Sequence, residues 1–124
     1  ARATAVWEDA LAAGPWAGPP VWVHGDLLPG NLLVRDGGLA GVVDWSATGV
    51  GDPACDAMAA WWLAPAERAH FREVLGLDHA AWRRGRGWAL EQAIWFIPYY
   101  ERTLPSAVAA ARARLDAVLE EGAP

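Results

Sequence analysis

No lysine occurs among the 124 residues, and all ten basic side chains are arginine. Chemistry that needs a side-chain amine is therefore outside this chain: a Walker A loop, a Schiff base, or the lysine that pairs with nucleotide phosphates in a kinase. Cysteine is almost as scarce. Cys55 stands alone, so no internal disulfide can form, which fits a reducing, cytoplasmic setting. No apolar run reaches the roughly 18 residues of a membrane-spanning helix, and no basic-then-apolar signal opens the chain, so no membrane partner is expected. Positive charge is in deficit: ten Arg against fifteen Asp and Glu leave a formal charge of −5, which argues against a nucleic-acid partner. Disorder is excluded from the other side, because 54% of residues are hydrophobic and only 20% charged. What the chain has in quantity is tryptophan. Nine in so short a sequence imply a large aromatic core or an aromatic-lined cleft.

The length suits one domain with one core. Residues 1–13 read as the end of a helix, with Trp7 and Leu11 one turn apart and a stop at Gly14-Pro15. A Pro/Gly-rich loop follows to Pro20. Val21-Trp22-Val23 is a short strand running into His24. Leu32 to Val34 and Leu39 to Val43 flank the turn Asp36-Gly37-Gly38, so 32–43 reads as a hairpin. Beyond Pro53 the pattern turns helical, with helices expected over 53–63, 65–75, 79–103 and 105–121. Asp78 caps the third, Pro98 should kink or break it, and Pro105 suits the first turn of the last. The fold class is α+β and mainly α, a small β-hairpin followed by a helical bundle.

Polar residues cluster where that hairpin begins and ends. Asn31 immediately precedes one strand and Asp44 follows its antiparallel partner, so both belong to the hairpin's open end, and Asp26 lies on the loop entering it. Two carboxylates and an amide oxygen converging there suit a hard cation such as Mg²⁺. A divalent ion beside a free carboxylate is the equipment of phosphoryl transfer.

With those residues on the page, His24-Gly-Asp26-x-x-x-x-Asn31, then Val43-Asp44-Trp45, then Gly51-Asp52-Pro53-Ala54-Cys55-Asp56, the chain resembles the aminoglycoside phosphotransferase family, relatives of choline kinases with a protein-kinase-like fold. The resemblance covers residues 24–56 and implies roles one by one. Asp26 matches the catalytic aspartate that orients the acceptor hydroxyl. Asn31 and Asp44 match the side chains that hold Mg²⁺ on the phosphates of ATP. Asp52 matches an acid that braces the catalytic loop, and His24 a residue that holds the loop against the Asp44 segment. Leu28 stands where many members carry a second His. The family's N-terminal, nucleotide-covering lobe with its lysine is missing, so residues 1–124 are expected to be the C-terminal lobe only, a piece of a longer chain and inactive by itself. The implied activity is ATP-dependent transfer to a hydroxyl of a small molecule. The acidic balance is compatible with a cationic, aminoglycoside-like acceptor and an antibiotic-resistance role, while macrolides, choline and homoserine remain open as acceptors.

Plainer readings stand beside these. Asp52, just before Pro53, could simply cap a helix, and Asp56 is not counted as catalytic. Cys55 reads as a small buried hydrophobe. Trp61, Trp62, Trp82, Trp88 and Trp95 recur at near-helical spacing and read mostly as core. Arg83, Arg84 and Arg86 read as a solvated helix face, and His70 and His79 as surface residues. A non-catalytic helical interaction module descended from a kinase lobe is the alternative function. A metal-dependent hydrolase is weaker, since His24 is the one plausible histidine ligand.

Overall fold

A computed structural model describes residues 1–121. It is 61% helical with two short antiparallel ladders, α+β and mainly α. Helix α1 (Arg2–Ala12) leads through the Pro/Gly loop to strand β1 (Val21–Val23). Strands β2 (Leu32–Arg35) and β3 (Gly38–Val42) form the expected hairpin, and Asp36 and Gly37 both take positive φ, as a two-residue primed turn requires. Its register slips by one between Leu33 and Val34, so Leu33 faces Gly41 and Val34 faces Leu39. A further strand, β4 (Gly49–Gly51), pairs antiparallel with β1, placing Trp22 opposite Val50. Gly-Val-Gly has little strand propensity, and only its pairing partner makes it one.

Four helices complete the chain. Helix α2 (Ala54–Ala57) continues as a 3₁₀ segment over Met58–Trp62, followed by α3 (Pro65–Val74), α4 (His79–Tyr100) and α5 (Pro105–Glu120). Asp78 caps α4 as its sequence suggests, accepting from Ala81 N–H at 2.7 Å. Pro98 does not break α4. The helix runs two residues past it, because a proline this close to the C-terminus removes one hydrogen bond from a turn that is ending anyway.

The long α4 is the centre of the bundle, touching α1, α2 and α5. Glycines allow the close approach. A Cβ on Gly87 would lie 2.6 Å from that of Ala10 in α1, and one on Gly85 would lie 3.0 Å from that of Ala57 in α2. Trp61 and Trp82 form the aromatic core, with ring centroids 4.8 Å apart. Both indole N–H groups donate to Glu121, at 2.9 and 2.7 Å, and Arg68 Nη1 pairs with the same carboxylate at 3.3 Å. One acid thereby satisfies two buried indoles, which would otherwise carry an unmet desolvation cost. Of the five tryptophans at near-helical spacing, Trp88 and Trp95 are the two that are not core: they are 43% and 48% exposed on α4. His70 and His79 are exposed as expected. Cys55 is half-buried rather than fully buried, and its thiol is pushed up to about 11, first by burial and then by Asp56, Asp52 and Glu91.

The arginines need a second correction. Arg83 Nη2 bonds both the backbone and the carboxylate of Asp9, Arg84 Nε reaches Asp52 at 2.6 Å, and Arg86 is buried against the C-terminus of α5, donating to the carbonyls of Val118 and Glu121. They tie α4 to its neighbours. Arginine does this where lysine could not, since one planar fork reaches several acceptors at a helix end.

Candidate active site

Strand β1 delivers the buried His24 into a loop that ends at Asn31. The loop is gripped from α2. Backbone N–H groups of His24 and Gly25 donate to the two carboxylate oxygens of Asp56, at 2.7 and 2.9 Å. His24 Nδ1 accepts from Asp26 N–H at 3.3 Å, which places the ring proton on Nε2, and Nε2 donates to Val43 O at 2.9 Å. The ring meets Trp45 edge-on at 4.7 Å. His24 thus ties the Asp26 loop to the residue before Asp44.

Gly25 is dictated twice. Its φ is +83°, and an added Cβ would sit 2.4 Å from the backbone oxygen of Ala47. Gly25→Ala combines left-handed strain with a collision that backbone cannot relieve. It is expected to cost about 2–5 kcal/mol of unfolding free energy, read by urea denaturation; a loss below about 0.5 kcal/mol, the range of an innocuous surface change, would contradict the tight approach.

Asp26 is the hub of the polar contacts. The chain has one Asn and one Gln, and both donate to it. Asn31 Nδ2 reaches the backbone oxygen of Asp26 at 2.8 Å and its Oδ2 at 3.4 Å, and Gln92 Nε2 from α4 reaches its Oδ1 at 2.9 Å. Arg114 from α5 donates to Gln92 Oε1 and lies over the Trp62 ring at 4.7 Å. Burial lowers the Arg114 guanidinium to about 10, a fall that Asp26 and Glu91 oppose, and the group stays charged at neutral pH. Asp26 and Asn31 open onto a cavity of about 280 Å³ between the loop, α4 and α5, walled largely by Leu28, Pro29, Trp62, Ala93, Phe96 and Ala107.

Asp44 stands across the hairpin end. Val43 N–H donates to Asn31 O at 2.9 Å, so the backbones of Asn31 and the Asp44 segment are joined as the sequence spacing suggests. Asp44 is not among the residues that line the cavity at Asp26 and Asn31. Asp44 adopts φ +59° and ψ +66°, and the left-handed turn directs its exposed carboxylate to Ser46 Oγ at 2.6 Å. The hydroxyl and then the backbone N–H of Ser46 hold this carboxyl below its ordinary value, with His24 adding to the effect. Left-handed backbone at a residue other than glycine is a feature of functional loops.

Among the described residues no three His, Cys, Asp or Glu side chains gather as metal ligands. The donors that remain are of another kind. Asn31 spends its amide nitrogen on Asp26, and among the described residues its Oδ1 accepts no hydrogen bond; Asp44 offers a carboxylate with one oxygen still free. An amide oxygen and a carboxylate are hard donors of the sort Mg²⁺ takes beside substrate phosphates, and the residues fit the ion in that respect.

Asp52 is not the residue that touches the loop. It accepts from Ala54 N–H at 3.0 Å, opening α2, and pairs with Arg84, so it acts as a helix cap and as an anchor of α2 to α4. The loop contact falls to Asp56, one turn further on. Gln92 and Arg114 were also not legible as site residues, since Gln92 reaches the loop, and Arg114 reaches Gln92, from helices whose sequences carry no local motif. The nearest thing to a signal is that Gln92, together with Glu91, interrupts an otherwise apolar run from Trp88 to Pro98.

An acid and an amide on one loop, a second acid across a paired strand end, and a helical bundle behind them are the parts that a kinase-like phosphotransferase arranges around its substrates. The family model of the phosphotransferase enzyme family matches residues 1–88, well over half the chain, and the chain belongs to that family. Comparison with curated proteins and with solved structures returns no match.

Proposed function

We propose that this chain is the C-terminal, catalytic-loop lobe of an ATP-dependent enzyme that phosphorylates a hydroxyl of a small molecule, working with an N-terminal lobe from outside residues 1–124. The observation that carries the reading is Asp26, fixed by Asn31 and Gln92 at the mouth of a cavity, with Asp44 joined to Asn31 through the hairpin end. The acceptor oxygen bonds to the γ-phosphorus as the bond to the leaving ADP oxygen breaks, and the hydroxyl proton passes to Asp26. Asn31 and Asp44 would hold Mg²⁺, which when bound neutralises phosphate charge. His24 and Asp52 support the loop and the helix behind it. The reading places the enzyme in the cytoplasm; among the described residues no helix is long and apolar enough to cross a membrane.

Two surfaces support the finer points. Trp22, Val34, Leu39, Trp45 and Val50 all expose more than half their surface on the strands and the turn beside Asp44, an apolar face of the kind a second lobe would cover. Asp26 is the one charged side chain among the residues lining the cavity, whose other walls are largely apolar. That favours a compact neutral alcohol with an apolar body over a polycationic aminoglycoside, which would need several carboxylates, and it argues against antibiotic resistance of that type.

The test is phosphoryl transfer from Mg-ATP by the complete gene product to 2-phenylethanol and to kanamycin, with residues 1–124 alone as a control. Turnover with the aryl alcohol, little with kanamycin and none from residues 1–124 alone is expected. Steady turnover by the isolated chain would overturn the two-lobe assignment, and preference for kanamycin the acceptor class.

A further inference from the structure

We propose that Gln92 is a positioning residue for Asp26 and that the buried Arg114 sets which way Gln92 faces; this rests on the phosphotransfer reading above. A primary amide can present either its nitrogen or its oxygen to a neighbour. Here one orientation is enforced. Arg114 is a donor at every nitrogen and takes Gln92 Oε1, so Nε2 is turned to Asp26 Oδ1 at 2.9 Å. The flipped amide would set its oxygen against a carboxylate and its NH₂ against a guanidinium.

The consequence falls on the two oxygens of Asp26. Oδ1 is held by a full hydrogen bond, whereas Oδ2 has only the 3.4 Å contact with Asn31. Oδ2 is therefore the oxygen left to take the acceptor's proton, and Gln92 fixes the carboxylate plane so that it stays so. Arg114 is 2% exposed, and its one side-chain hydrogen bond among the described residues goes to Gln92. Among the described residues its Nε and Nη2 are buried without a protein partner. A buried cation with two unmet donors is an unfavourable way to fill a core. Its placement is intelligible if the charge serves the polar chain running from α5 through α4 to the loop.

Gln92→Glu separates positioning from packing. The new carboxylate keeps the size and pairs with Arg114, so stability is held, but it offers Asp26 a negative charge instead of a donor. In the complete gene product, with Mg-ATP as donor and 2-phenylethanol as acceptor, kcat should fall about 10–100-fold while KM for ATP stays within about twofold. Gln92→Ala should lose as much kcat and also lower the unfolding midpoint. Wild-type kcat in Gln92→Glu would overturn the proposal, since a purely structural amide would tolerate that change. A second measurement needs no turnover. Residues 1–124 contain two side-chain amide groups, Asn31 and Gln92, so the amide NH₂ spectrum of that chain holds two pairs, and Asp26→Ala should shift both. A Gln92 pair that stays in place would overturn the proposal whatever the kinetics. If the wild-type gene product transferred no phosphoryl group from Mg-ATP to the alcohol, the phosphotransfer reading would fall, and the resonance shift would still decide the Gln92 contact.

Discussion

Asp26→Asn is expected to lower turnover of the complete enzyme by about 10²–10⁴, the usual worth of a positioned acid–base group, and to leave Mg-ATP affinity nearly unchanged. The structure gives the reason that binding should survive. The main contact of Asn31 is with the backbone oxygen of Asp26, and Gln92 donates to an Oδ1 that asparagine can keep, so the loop retains its shape while losing its base. Asp44→Asn should behave differently. Asparagine can still accept from Ser46 Oγ, but the site has lost a charge meant for a divalent ion, so nucleotide affinity should weaken together with turnover and recover in part as Mg²⁺ is raised. Calorimetric titration of Mg-ATP into both variants separates the roles. Loss of nucleotide binding in Asp26→Asn with retention in Asp44→Asn would reverse the assignments.

The split between what sequence reveals and what it hides follows the range of the interactions. The hairpin of β2 and β3, the cap at Asp78 and the joining of Asn31 to the Asp44 segment are encoded within about a dozen residues, and periodicity and turn chemistry expose them. The loop from His24 to Asn31 was legible because its residues lie on one continuous segment. Strand β4 was not, since Gly49-Val50-Gly51 becomes a strand only through β1, almost thirty residues earlier. Gln92 lies 66 positions from the Asp26 it touches, and Arg114 a further 22 from Gln92. Arg83, Arg84 and Arg86 look like a solvated face from their charge, yet each is claimed by an acceptor on another element. Long, forked side chains can reach buried acceptors that hydropathy does not anticipate. Trp88 and Trp95 err in the opposite sense: spacing fixes which side chains share a helix face but not whether another element covers it.

Removing Asp56 should be the most damaging change to the framework of the site. Its carboxylate accepts two backbone N–H groups, from His24 and Gly25, on the segment that aims Asp26. Hydrogen bonds to a charged group are worth about 1.5–3 kcal/mol each, so Asp56→Ala should cost about 3–5 kcal/mol, a large share of the roughly 5–15 kcal/mol that holds a domain together. Urea denaturation of the chain measures it, and Asp56→Asn, which keeps one acceptor oxygen, should recover about half. On the phosphotransfer reading, turnover of the complete enzyme should fall in parallel, because the freed loop carries Asp26 with it. Cys55 supplies an independent readout. Its thiol is held at about 11, by burial first and by the Asp56 carboxylate next, and both influences weaken when Asp56 is lost and the loop loosens. The thiol should therefore titrate lower and alkylate faster at a given pH in Asp56→Ala than in the wild type. If the variant unfolds within about 1 kcal/mol of the wild type and Cys55 reacts at an unchanged rate, the His24 and Gly25 amides have found other acceptors and Asp56 is not the brace of the loop.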